Sequence, residues 1–467
     1  MTQPSIVRAQ HMPEDTEVHV PVAIVGAGAC GLTAALMLQD AGIECVLLER
    51  DATPSGSTAL SSGFIPAAGT KAQRAAGITE DSPQRFATEL TAKAHGSASP
   101  ALVQAYAEAI APAMDALQDK HGLEFVVLSD FLYPGHSLHR MHAVPEKTGA
   151  ALVARLHNAL AATDALLVTE ALVRELWLNA NDEIIGVGYE RPDGQLEHLG
   201  CQALILACNG FGGNAQMVSE LIPDMRGALF AGHVGNDGSA ISWGRALGAG
   251  LADLSGYQGH GSWAVPQGAL VSWAVMVQGG VQINALGLRF HNEHLGYSEA
   301  AMQVLAQPGA QAWNVFDQPL LQFARSFPDF CEAEAAGAVR HACDVAALAG
   351  LIGCPTDTLQ ATLASMQAGT HAADGRVFQR VLQAPYCAVK VTGALFHTQG
   401  GLDINAQCQV LRADGSALPN LLAAGGAARG VSGPGASGYL SGNGLLSAVA
   451  GGYLAAQCAA AQVKDSS

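Results

Sequence analysis

The chain has 467 residues, with 23 Lys plus Arg against 40 Asp plus Glu, and 54 Gly. A hydrophobic share of 49% with only 13% charged residues excludes a disordered chain and supplies apolar surface for roughly two or three domains. The net charge of −17 excludes nucleic acid as an expected partner, since phosphate binding needs a basic surface.

Residues 1–20 contain no apolar h-region, so no signal peptide is expected there. Val22-Ala23-Ile24-Val25 reads as a short buried strand, followed by Gly26-Ala27-Gly28-Ala29-Cys30-Gly31 and a helix over 32–38. Gly42 stops the helix, and Cys45-Val46-Leu47-Leu48 is a second strand ending in Glu49. A strand, GxGxxG, a helix, a strand and an acid in this order form a dinucleotide-binding fingerprint. Gly26 makes the tight turn, Gly28 lets a diphosphate approach, and Gly31 lets helix and strand pack closely. The helix start at Ala29 offers N–H groups to the diphosphate. Glu49 is placed to accept from ribose hydroxyls, with Arg50 beside it, which leaves both FAD and NAD open.

The next segment, Ser55-Gly56-Ser57-Thr58-Ala59-Leu60-Ser61-Ser62-Gly63, is polar and glycine-rich. Such a loop can wrap a second phosphate or a flavin ring through Ser57, Thr58, Ser61, Ser62 and Gly63, and it favours FAD. Helices are expected over 86–94, 102–121 and 150–160. The loop 130–142 between them holds Tyr133, His136, His139, Arg140 and His142. Its HxxHxxH spacing lacks an adjacent carboxylate, so a pocket-lining loop is preferred to a metal site, and no metal is expected.

Segments 166–178, 184–190 and 198–207 alternate like strands, with Pro192-Asp193-Gly194 as a turn. Val173 and Cys208 fall on these strands, and Asn209-Gly210 closes the last one; all four are expected against the cofactor. Mixed segments run to about 380, and 387–411 is β-like again. Residues 421–426 are a strand entering the turn Gly425-Gly426. From Gly442-Asn443-Gly444-Leu445 an apolar helix runs to about residue 460. No apolar run reaches the ~20 residues of a membrane span. The ten cysteines form neither CxxC nor CxxCH, so zinc, a cluster or attached haem is not expected. Dispersed thiols fit a reducing, cytoplasmic compartment.

In this order the elements resemble the flavoprotein family of fumarate reductase, succinate dehydrogenase and 3-ketosteroid 1-dehydrogenase. The landmarks are the fingerprint with Glu49; Asn209-Gly210-Phe211-Gly212-Gly213; Gly235-Asn236-Asp237-Gly238; Gly287-Leu288-Arg289-Phe290-His291-Asn292-Glu293; His397-Thr398-Gln399-Gly400-Gly401; and Ser441-Gly442-Asn443-Gly444-Leu445. The resemblance implies an α/β fold, in which a Rossmann-type FAD-binding domain (1–261 and 376–467) is interrupted by an α+β cap (262–375). It also implies that Asp237, Gly425, Gly426, Gly442, Asn443 and Leu445 lie against FAD, with the C-terminal helix start facing the flavin pyrimidine. Members that attach FAD covalently use a histidine in the loop after the acid. Ser57-Thr58-Ala59 has none, so non-covalent FAD is implied.

The departures carry the functional reading. Where the dicarboxylate enzymes of the family have a proton-transferring arginine and a substrate-binding arginine, this chain has Tyr297 and Tyr439. A family histidine is replaced by Phe396, next to His397. Loss of both arginines removes bidentate carboxylate recognition. Tyrosines at these places resemble the ketosteroid dehydrogenases. By that resemblance Tyr297 takes the proton α to a ketone, and Tyr439 with the N–H of Asn443 holds the ketone oxygen. Tyr133 or Phe131 supports the base, and His260 contacts substrate.

The expected activity is FAD-dependent introduction of an α,β double bond into a cyclic ketone. The chain looks short for a steroid enzyme, which points to a smaller ring such as cyclohexanone or 4-oxocyclohexanecarboxylate. The electron acceptor would be separate: a quinone, a carrier protein or oxygen. The alternative is reduction of an unsaturated acid, with Arg140, His139, His142 or His260 binding the carboxylate. A purely electron-carrying flavoprotein fits the two tyrosines less well.

Overall fold

The computed structural model describes residues 4–465. Its larger sheet is built around the fully buried run Val22, Ala23, Ile24 and Val25 in the strand His19–Val25. That strand pairs in parallel with Cys45–Leu48 on one side and Leu196–Leu206 on the other. Leu166–Val168 extends the sheet in parallel beyond Cys45–Leu48. On the far side, Leu172–Leu178, Ile184–Glu190 and Leu196–Leu206 form an antiparallel meander. Ala417–Ala423 pairs in parallel with the end of Leu196–Leu206.

The alternating stretch 166–178 therefore divides into two strands on opposite sides of the sheet. Glu170, at φ 54, breaks the extended backbone between them.

The helix Ala29–Asp40 is buried from Ala29 to Leu38, because the sheet covers one side and the helix Asn443–Asp465 the other. Gly452 makes that approach possible: a Cβ there would lie 2.4 Å from the Cys30 carbonyl oxygen. The C-terminal helix has 23 residues, and its most apolar 18-residue stretch has a mean hydropathy of 1.3. By length and composition it could cross a membrane, contrary to the expectation that no segment is long and apolar enough. Here it is a core helix, with Ala455, Ala456, Ala459 and Ala460 buried.

The second sheet is centred on the 13-residue strand Tyr386–Thr398. Tyr257–Ala264 and Ala312–Asp317 flank it in antiparallel fashion, and Val281–Ile283 pairs beyond the latter. This sheet extends outside 262–375 at both ends. The helices Gln318–Ala324, Pro328–Ala335 and Val345–Ile352 pack on it through Leu320, Leu321, Phe330, Leu348 and Ala349. The ten cysteines are unpaired.

Candidate active site

One long cavity runs from the glycine turn after His19–Val25 to the face of the second sheet. At its first end Gly26 has φ +103, and a Cβ there would lie 2.6 Å from the Ala207 carbonyl oxygen. Gly31 is not on the cavity wall; its Cβ would lie 1.9 Å from the Gly26 carbonyl oxygen, so it is the packing glycine of the fingerprint. Glu49 is buried, and its two oxygens accept from the N–H groups of Ala27 (2.8 Å) and Asp51 (3.0 Å).

Thr58 Oγ1 accepts from the Ala29 N–H at 3.1 Å, which ties the 55–63 loop to the helix start. Ser57 Oγ accepts from the side-chain amides of Asn209 (2.9 Å) and Asn236 (3.0 Å). Arg50 donates to the Gly235 carbonyl at 3.0 Å and to Asp237 at 3.2 Å. Gly28, Ala29, Ser61, Ser62, Gly63, Val173, Cys208, Asp237, Gly425, Gly426, Gly442 and Leu445 also line the cavity. Gly210 does not: a Cβ there would meet Thr398 Oγ1 at 2.0 Å, so its smallness serves packing.

At the other end Tyr297 opens the helix Tyr297–Leu305, after Gly296 at φ +141. Its ring stacks on His260 with centroids 4.8 Å apart and meets Tyr439 edge-on at 6.0 Å. Burial pushes the Tyr297 phenol up to about 12, against the opposing pull of the Ser441 and Tyr439 hydroxyls. Burial also holds Tyr439 and Tyr133 well above the ordinary phenol value. His260 Nδ1 accepts from the Ser262 N–H at 3.1 Å, which assigns its proton to Nε2. Burial holds His260 down to about 3 and His397 to about 4, so both are neutral at pH 7. Tyr133 lines the cavity, whereas Phe131 is buried against Phe323 and Phe327 in the second core.

Several expectations change here. Asn443 does not line the cavity. Its N–H donates to the Leu440 carbonyl at 3.0 Å and its side chain to Ser432 Oγ at 2.9 Å. The backbone N–H groups that face the Tyr439 hydroxyl are those of Gly444 and Gly442, on either side of Asn443. Arg140 is buried and bound by Asp81 (2.8 Å from both Nε and Nη2) and by Glu89. His142 bonds Thr70 Oγ1 and the Arg140 carbonyl, both at 2.7 Å. Arg140, His139 and His142 are all absent from the cavity wall. Of the four residues expected to bind a carboxylate, only His260 remains there.

The cavity also includes Gln258, Trp273, Phe327, Asp329, Phe396, Ser441 and Gly444, which the sequence reading did not select as site residues. Apart from Phe396 and the helix start at 441–444, no local motif marks them. They come together only when the second sheet closes over the nucleotide end.

A family model described as an FAD binding domain matches residues 21–445. The chain belongs to this FAD-binding family. NADH:fumarate oxidoreductase of Klebsiella pneumoniae (strain 342) is 26% identical over 95% of this chain, which spans 48% of that protein's length. The solved open conformation of a flavocytochrome c3 fumarate reductase is 25% identical, with a TM-score of 0.80 over 96% of this chain and 79% of that one. The 3-ketosteroid-Δ4-(5α)-dehydrogenase of Rhodococcus jostii RHA1 shares the fold at 23% identity, with a TM-score of 0.77 over 97% of this chain and 100% of that one.

The cofactor is FAD, and the residues present fit it. Gly26 and Gly426 keep the cradle open, for a Cβ on Gly426 would sit 2.2 Å from Asn209 Oδ1. The loops at 57–63 and 233–237 supply polar walls, and the start of the Asn443–Asp465 helix supplies N–H groups for an electron-rich ring edge.

Proposed function

We propose that this flavoprotein is an oxidoreductase that introduces an α,β double bond into a neutral ketone. The observation that carries this reading is the substrate end of the cavity. There Tyr297 and Tyr439 meet, the two histidines at that end (His260 and His397) are neutral, and no lysine or arginine among the described residues is on that wall. Arg50, the only lysine or arginine lining the cavity among the described residues, lies beside Asp237 at the nucleotide end.

A ketone needs donors for its oxygen and a group to take its α proton. The Tyr439 hydroxyl, itself faced by the backbone N–H groups of Gly444 and Gly442, supplies a donor for the oxygen. Fixed donors that strengthen as enolate charge develops lower the barrier more than they tighten ground-state binding. Tyr297, edge-on to Tyr439, receives the proton. His260 holds the Tyr297 ring by stacking and presents Nε2–H. Phe327, Trp273 and Phe396 give an apolar wall that excludes water. FAD, when bound, supplies the hydride acceptor for the β-hydrogen. A quinone, a carrier protein or oxygen would then take the electrons.

The second reading is reduction of an unsaturated acid, favoured by the fumarate-named relatives. It would leave a carboxylate facing neutral His260 and the Asp329 carboxyl, without a guanidinium. The deciding experiment compares cyclic ketones, including 3-ketosteroids, with saturated acids under an artificial acceptor, and assays fumarate with a reduced dye. Turnover of fumarate with none of any ketone would overturn the first reading.

A further inference from the structure

On the ketone reading, the cavity must also discharge the proton that Tyr297 receives. A phenol held at about 12 keeps its own proton at neutral pH. It can take a substrate proton only as its own O–H proton leaves. The other phenols at this end are raised as well, and the two histidines are held too low to keep a proton.

Asp329, at the start of the helix Pro328–Ala335, is the only carboxyl among the described residues on the substrate-side wall. Its Oδ2 accepts from Ser62 Oγ at 2.5 Å. No Lys, Arg or His among the described residues forms an ion pair with it. A carboxylate removed from water without a cation is costly, and this is how groups poised for proton transfer are commonly built.

Asp329 and Tyr133 line the same cavity, and the Asp329 charge is close enough to help raise the Tyr133 phenol. Phe327, two residues before Asp329, lies 5.4 Å from Phe131, which lies 4.3 Å from Tyr133. Phe64, two residues after Ser62, is 6.4 Å from Tyr133 on another side. We propose that Asp329 is the acceptor that drains the substrate proton, relayed from Tyr297 through Tyr133.

The α C–H bond breaks as its proton reaches the Tyr297 oxygen. The Tyr297 proton passes to the Tyr133 oxygen, and the Tyr133 proton passes to the Asp329 carboxylate. The electron pair of the α C–H bond becomes the new C=C bond, while the β-hydrogen leaves with its own pair as hydride for FAD. Asp329 then releases its proton to solvent. The groups facing Asp329 are the Ser62 hydroxyl, the Tyr133 phenol and the carboxylate of Glu332 on the same helix. Burial and Glu332 raise the Asp329 carboxyl above the ordinary 3.8, and the Ser62 bond lowers it.

The test compares Asp329→Asn, Asp329→Glu, Ser62→Ala and Tyr297→Phe as FAD-loaded proteins, with flavin content as the check on folding. Asp329→Asn should lower kcat about 10²-fold with little change in KM, and abolish the acidic limb of the kcat–pH profile. Asp329→Glu should restore part of the rate. Ser62→Ala should move the acidic limb to higher pH, because it removes the bond that favours the carboxylate. Without substrate, an infrared pH titration should show a carboxyl band titrating above 3.8 that is missing in Asp329→Asn. Should Asp329→Asn lose FAD, the Ser62→Ala shift decides. Tyr297→Phe inactive beside a fully active Asp329→Asn, or a limb unmoved in Ser62→Ala, overturns the relay alone. A fully active Tyr297→Phe overturns the base assignment beneath it.

Discussion

Replacing Glu49 with alanine should cost both stability and cofactor affinity, by separable amounts. Its Oε2 accepts the buried Ala27 N–H at 2.8 Å and its Oε1 the half-buried Asp51 N–H at 3.0 Å. A hydrogen bond to a charged acceptor contributes about 1.5–3 kcal/mol net. The Ala27 N–H would be stranded without a partner, whereas the Asp51 N–H can regain water. A loss of about 2–4 kcal/mol in the flavin-free protein follows. The carboxylate also lines the cavity where a ribose is expected. Losing one such bond should raise the Kd for FAD roughly 10- to 150-fold. Denaturant unfolding of flavin-free protein reads the first effect, and calorimetric titration with FAD the second. Unfolding at the parent's denaturant concentration would refute the backbone role of Glu49. An unchanged Kd would refute the ribose role.

The purified protein should be yellow and should release its flavin as FAD on acid or heat denaturation, since residues 57–59 offer no histidine for attachment; flavin that stays with the denatured chain counts against this. Tyr439→Phe should weaken ketone ligands and lower kcat about 10²–10³-fold, as for loss of one oxyanion donor, whereas Tyr297→Phe should lower kcat about 10²–10⁴-fold with ligand binding retained. Equal effects of the two changes on ligand affinity would argue against these separate roles. Arg140→Met should destabilise by about 3–5 kcal/mol by stranding Asp81 and Glu89, with KM unchanged where the protein still folds; a large rise in KM would return Arg140 to the substrate site. Acid should unfold the protein early. His136, His142, His291 and His397 are held by burial down to about 4 and His260 to about 3, from 6.5. The unfolded chain therefore binds protons below pH 6.5 that the folded one refuses. Each histidine costs up to about 1.4 kcal/mol per pH unit as pH falls toward 4. A denaturation midpoint that stays flat from pH 7 to 5 would contradict this.

The nucleotide end was legible in the sequence because it is local. Strand, glycines, helix and Glu49 fall within a short contiguous run, and each residue type answers to a backbone requirement that holds in any context. The two tyrosines were found by position against ordered landmarks, and the structure brings their rings together. What the linear chain left open depends on long-range partners. Arg140 looked like a candidate ligand for a carboxylate until folding placed Asp81 and Glu89 around it. Asn443 looked like the backbone donor until the first turn of its helix committed that N–H to Leu440. Composition made the C-terminal helix ambiguous, since burial in a protein core and burial in lipid select the same apolar residues; packing on Ala29–Asp40 decided it. Asp329 carries no motif at all. A lone acid in a helix is usually solvated, and only the closing of the second sheet over the nucleotide end turns it into an unpaired carboxyl on a cavity wall.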